Sequence, residues 1–256
     1  MKKIFLSVMI FLLSRGAWAM SLTQKMDVHI GVFDAAKVTL KYESNQNRFS
    51  IRADVTTANL FDTIYPFKAS YQSMGHYLND KLIPEIYQTR SQSRNHVRTK
   101  KILYNKDGIA YKKISSKDNN VNQGPIVGVS KTADAGDLQS VFAELIKNFA
   151  AVGHCNLTRE IDDGKKHYKM IAKDKGVQEH YFDFYKKKEK AHLCSIYVEN
   201  LKDNNDNILW NVSADRPIKL WVKRDEKTKT PFVLEISIDS TPLGALKVVP
   251  ITLVIK

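Results

Sequence analysis

Apolar and polar residues alternate with a period of two along most of this chain, and that pattern confines it to half-buried strands, because successive strand side chains point to opposite faces. Val28, Ile30 and Val32 alternate with polar partners, Val38, Leu40 and Tyr42 follow a turn at Asp34-Ala35-Ala36, and Phe49, Ile51, Ala53 and Val55 follow Asn45-Gln46-Asn47. Three antiparallel strands are expected there. Ile218, Leu220 and Val222, then Phe232, Leu234, Ile236 and Ile238, repeat the pattern late in the chain. Strand-like segments also cover 67–77, 83–93, 97–105, 109–114, 155–162, 167–173, 177–185, 192–199 and 245–255. So many long strands predict a mainly β protein, a strongly bent antiparallel sheet or half-open barrel.

One segment departs from that period. Leu138, Val141, Phe142, Leu145, Ile146 and Phe149 fall on a single helical stripe, Asp137 offers an N-cap and Gly153 a C-terminal stop. This amphipathic helix is expected to pack on the apolar face of the sheet, where its stripe contributes on the order of 10 kcal/mol before entropy is charged. A short helix is predicted over 58–64, capped by Thr57 and stopped before Pro66. The Asn-, Asp-, Gly- and Ser-rich stretch 115–135 reads as a long loop joining two halves of a single domain, 20–256.

The first 19 residues read as a cleavable export signal: a basic Lys2-Lys3, an apolar run from Ile4 to Leu13, and Ala17-Trp18-Ala19 before the cut. The run is too short to span a bilayer. A soluble protein of the periplasm, or a secreted one, is therefore expected. In such an oxidising compartment a lone cysteine pair in a medium-sized chain is more often a disulfide than a metal or catalytic site. Cys155 shares strand parity with Leu157 and Ile161, and Cys194 with Ile196 and Val198, so both sulfurs are expected on the apolar side as a buried staple.

Charge narrows the partners. The formal net charge is +13, and removing Lys2, Lys3 and Arg15 with the signal leaves +10. Segment 86–105 holds Arg90, Arg94, Arg98, Lys100 and Lys101 with no acid, and 165–190, which includes Lys186, Lys187 and Lys188, holds nine lysines against four acids. Each segment is thus +5. Clustered excess attracts polyanions, and outside the cytoplasm these are lipid head groups, lipopolysaccharide and anionic glycans rather than nucleic acid. The alternative is a solvated lysine-rich sheet face.

Chemistry-bearing motifs are missing. Asp203, Asn205 and Asn207 open like a calcium loop, but Ile208 stands where the turn glycine belongs and Ala214 where the closing glutamate belongs. The seven histidines show no metal-binding spacing, and neither a G-x-S-x-G elbow nor a phosphate-cradling glycine loop occurs. No catalytic residue, metal or cofactor is expected.

Longer runs carry a family likeness. Thr57-Ala58-Asn59-Leu60-Phe61-Asp62-Thr63-Ile64-Tyr65-Pro66-Phe67, Ser73-Met74-Gly75, Leu82-Ile83-Pro84-Glu85 and Tyr87, then Asp137-Leu138-Gln139-Ser140 and the strand pair from Trp221 to Pro231, resemble the bacterial family called domain of unknown function 3108. The resemblance implies an exported β-rich protein with no assigned activity, so no catalytic residues carry over. Two function classes follow. In the first, a non-enzymatic envelope protein holds a lipid-like ligand in its curved sheet, with Leu60, Phe61, Phe142, Leu145 and Phe149 around the apolar mouth, and with Arg90, Arg94, Arg98, Lys100, Lys186, Lys187 and Lys188 meeting an anionic head group or a membrane surface. In the second, the protein is an adaptor in an envelope complex; an enzyme with a dispersed site ranks third.

Overall fold

The computed structural model describes residues 20–78, 81–124, 135–162, 167–200 and 212–256. The chain runs β1 (Met20–Ile30), β2 (Phe33–Ser44), β3 (Arg48–Thr57), α1 (Asn59–Ile64), β4 (Phe67–Leu78), β5 (Lys81–Ser93), β6 (Val97–Tyr104), β7 (Ala110–Lys117) and β8 (Asn120–Gly124). It continues through β9 (Ala135–Gly136), α2 (Leu138–Val152), β10 (Leu157–Asp162), β11 (His167–Phe182), β12 (Lys187–Asn200), β13 (Ile218–Arg224), β14 (Pro231–Thr241) and β15 (Gly244–Ile255). All fifteen strands join one sheet in the order β8-β7-β6-β5-β4-β3-β2-β1-β15-β14-β13-β12-β11-β10-β9. Every pairing is antiparallel except β9 with β10.

That order forces the sheet to curl. Laid flat, fifteen strands at the usual inter-strand spacing would be about 67 Å wide, yet only ten residues separate Gly124 on one edge from Ala135 on the other. Ten residues reach about 40 Å at full extension. The two edges must therefore approach each other, and the sheet rolls around α2, which touches β3, β4 and β5 on one side and β10 and β14 on the other. The resulting core joins Leu22, Leu40, Tyr42 and Ile51 from the first strands to Phe232, Leu234 and Leu246 from the last, with Ala143 and Ile146 of α2 between them.

Several local expectations need correction. The first hairpin turns at Gly31-Val32, not at 34–36: Gly31 adopts φ 57°, so a tight turn fits there, and Val32 is left 91% exposed. Thr57 does not cap α1, because it is still the last residue of β3; Ala58 takes the N-cap position without a side-chain bond. Thr57 Oγ1 instead accepts the Phe67 N–H at 2.9 Å, tying the end of β3 to the start of β4. Of the expected loop, residues 115–117 end β7, Asp118 and Asn119 form a tight turn and 120–124 are β8, while 125–134 lie outside the described residues. Segments 167–173 and 177–185 are largely one strand, β11, with a bulge between Asp174 and Val177. Leu138 is exposed rather than part of the helical stripe, since it opens the helix. The export signal, residues 163–166 and the 201–208 stretch lie outside the described residues.

Candidate ligand site and its surroundings

The helix is set in place by its ends. Asp137 is wholly buried and accepts the Ser140 N–H at 2.9 Å on one oxygen and the Ser73 hydroxyl of β4 at 2.9 Å on the other. At the other end Gly153 takes the left-handed conformation and donates to Phe149 O, while Arg224 of β13 donates to Ala150 O. Burial pushes the Asp137 carboxyl up to about 6, against the pull of those hydrogen bonds, and burial likewise raises Tyr104 nearby.

The helix stripe leaves almost no hollow. Phe142, Leu145 and Phe149 meet Leu22, Leu40, Leu220, Val222, Phe232 and Val233 around a cavity of about 20 Å³, room for about one water molecule. Leu60 and Phe61 are not there: both sit on α1 at the rim of the sheet, where the Phe61 ring lies 6.5 Å from that of Phe33. The expected apolar mouth is thus two separate places.

The basic residues also divide. Strand register sets Arg98 and Lys100 on the same face as Tyr87, Ile102 and Ser73, which is the inner face, while Arg90 pairs with Thr99 and Ser70 on the outer one. Lys100 Nζ lies 5.5 Å from the Tyr87 ring centroid. Arg94 occupies the β5–β6 turn and donates to Thr63 O of α1. Lys186, Lys187 and Lys188 belong to the far half, at the tip of the β11–β12 hairpin, where Lys187 pairs with Glu189 at 2.7 Å.

Beyond the end of α2 a strip of inner face remains accessible. Val38, Ala53, Val55 and Tyr71 are half-buried there, followed across β5 by Thr89 and Ser91. On β6 and β7 the same face presents Arg98, Lys100, Lys113 and Lys117. No carboxylate of β2 to β7 points to this side. The strip grades from apolar to cationic within six strands.

Two features escaped sequence reasoning. Gln24, in the apolar stripe of β1 and fully buried, donates to Val233 O at 2.8 Å and accepts the Val233 N–H at 3.0 Å, standing in for a strand partner. The β11–β12 hairpin bends at its bulge, where Asp174 accepts the Gly176 and Cys155 N–H groups, and folds over the outer face of β13 and β14. Its His180 stacks on Trp221 at 4.5 Å, and Lys247 of β15 joins Asp183 of the turn to buried Glu235. Burial works against the charge on Lys247, but bonds to Asp183 and Glu235 outweigh it and hold its pKa above the ordinary lysine value. Trp221, standing between Lys219 and Lys223 on the outer face of β13, is the one hint in the sequence.

Cys155 and Cys194 are joined in a disulfide across 39 residues, with Cα atoms 6.0 Å apart and both side chains buried. Cys155 precedes β10 rather than lying in it. Among the described residues the sulfurs and Asp174 form a group of metal-ligating types, but bonded sulfurs leave a single carboxylate, which is no metal site.

An antiparallel sheet rolled around one enclosed helix defines a β-barrel-like protein. A solved β-barrel-like protein of domain of unknown function DUF1849 from Brucella abortus is similar, with a TM-score of 0.50 and 9% identity over 93% of this chain and 98% of that one. The chain belongs to the family of proteins of unknown function DUF3108, whose family model matches residues 25–247. No curated protein matches it.

Proposed function

We propose that the protein is an exported, non-enzymatic component of the cell envelope that binds a lipid-like amphiphile on the inner face of its sheet. The observation that carries this reading is the graded strip: apolar Val38, Val55 and Tyr71 accept a chain, and Arg98, Lys100 and Lys117 on the same face meet an anionic head. The binding surface is this strip rather than the cavity against α2, which is too small for an acyl chain. Native mass spectrometry of protein purified from cells tests it by weighing any lipid carried along. Titration with an anionic fluorescent fatty acid gives the residue-level test, because Arg98→Glu with Lys100→Glu should weaken binding at least about tenfold by replacing attraction with repulsion. Equal binding by wild type and variant would remove the strip from the account. The nearly filled helix cavity favours a second reading, an adaptor without a small ligand. It predicts no probe binding and a protein partner retained after cross-linking in cells.

A further inference from the structure

Three segments far apart in sequence come together at one rim of the sheet and all present apolar side chains to solvent. The β1–β2 turn carries Val32 with Phe33 just after it, α1 carries Leu60 and Ile64 with Tyr65 at its C-cap, and the β14–β15 turn carries Leu243; Val32, Ile64 and Leu243 are 91%, 67% and 66% exposed. They are held as a unit. Phe33 packs its ring against Phe61, Asn59 reaches Asp34, Ala58 N–H donates to Ala35 O, and Gly31 N–H donates to Ala245 O. α1 buries none of its six residues, so it contributes little to the core. Patches of this kind on a folded chain mark interaction sites.

The flank of the patch is cationic. Arg94 is bonded directly to α1, and Arg98 and Lys117 form a registered pair just beyond it. From 86 to 106 the chain has no carboxylate at all. The three acids of this region are each engaged locally: Asp34 with His29, Asp62 with Thr57, and Asp118 with His96. We propose that this rim is a membrane-docking surface, in which the tips of the two turns and α1 enter the head-group region of an anionic bilayer while Arg94, Arg98 and Lys117 contact lipid phosphates. A second copy of the chain fits less well, since a two-fold interface through the patch would set one basic flank against another. Docking does not require the inner strip to hold a ligand, although the rim is where the cationic part of that strip opens.

Flotation with phosphatidylcholine vesicles, with and without phosphatidylglycerol, tests the proposal. Wild-type protein is expected to float with the anionic vesicles and to be released by salt. Leu60→Asp with Ile64→Asp should lower vesicle affinity at least about tenfold by charging the part that enters the head groups. Because both side chains are exposed, the thermal midpoint should stay unchanged. Arg94→Glu with Arg98→Glu should lower affinity for anionic vesicles while leaving the weak affinity for neutral ones. The proposal is overturned if wild type fails to float with anionic vesicles, if the α1 variant floats as well as wild type, or if sedimentation shows a dimer that the α1 variant abolishes. Fatty-acid binding by the α1 variant should equal that of wild type, so a failure of docking and a failure of ligand binding read out separately.

Discussion

At Asp137 the helix cap and the protein core coincide: the carboxylate that satisfies the first N–H groups of α2 sits out of reach of water, bonded to Ser73 from across the barrel. Burial pushes its pKa up to about 6, above the value near 3.9 in an unfolded chain. The folded state therefore holds the proton to higher pH than the unfolded state. The stabilising contribution is complete below about pH 4 and is lost as pH rises through 6, a change of about 3 kcal/mol. Asp137→Asn keeps a capping oxygen without a charge to bury, so its stability relative to wild type should rise across that interval and level off above it. Urea melts of both proteins from pH 4 to 7.5 check this; a constant difference would mean that Asp137 is ionised throughout. That Asp137 caps a helix is legible from the chain, because capping is local. Its partner Ser73 is not, for the register that brings β4 to the helix depends on strands 64 residues away. Gln24 hides for the same reason: only the divergence of β14 from β15 leaves Val233, paired with Val222 on its other side, without a partner on the β15 side for the Gln24 amide to replace.

Among the elements, α2 shows how far a periodic stripe can be trusted. The stripe correctly marks Val141, Leu145, Ile146 and Phe149 as buried, but Phe142 is only half-buried and adds to the wall of the small cavity. Phe149 is enclosed, its ring 5.0 Å from His192 and 5.7 Å from the Arg224 guanidinium carbon. Phe149→Ala should therefore cost about 3–5 kcal/mol, and Phe142→Ala less than about 2 kcal/mol. Chemical denaturation of the two variants decides it, and a larger loss at Phe142 would place the enclosed ring two turns earlier. The strands themselves are legible because period-two alternation is a local property, and their number and length are enough to imply a bent sheet. The bend of β11 and β12 was not. A bulge depends on what the strands meet after folding, here Asp174 gathering the N–H groups of Gly176 and Cys155. The residues expected around one apolar mouth lie apart for a related reason: apolar side chains on α1 and α2 look alike in sequence, and only the topology puts one set at a rim and the other in a core.

For the whole molecule the decisive join is β1 with β15, at the centre of the sheet. Deleting Gly244–Ile255 would leave β1 and β14 with open ladder edges and remove Leu246 and Val248 from the core. Such a chain should be recovered as aggregate or soluble oligomer on size exclusion, because unpaired central strands recruit other strands. A monodisperse, cooperatively unfolding truncated monomer would show that the two halves stand without the join. The covalent staple lies elsewhere, within the second half. Breaking the Cys155–Cys194 bond should cost about 4 kcal/mol in the loop-entropy account, and unreduced denatured protein should titrate no free thiol. The central join also sets a clock on biosynthesis. β15 follows β1 only after the other thirteen strands, so when the chain emerges N-terminal side first, from a ribosome or from an export channel, β1 waits for its partner while about 200 residues pass, roughly 10 to 40 s at ordinary elongation rates. Throughout that interval β1 has one naked ladder edge, and any factor that captures unpaired strands has that long to compete with β15.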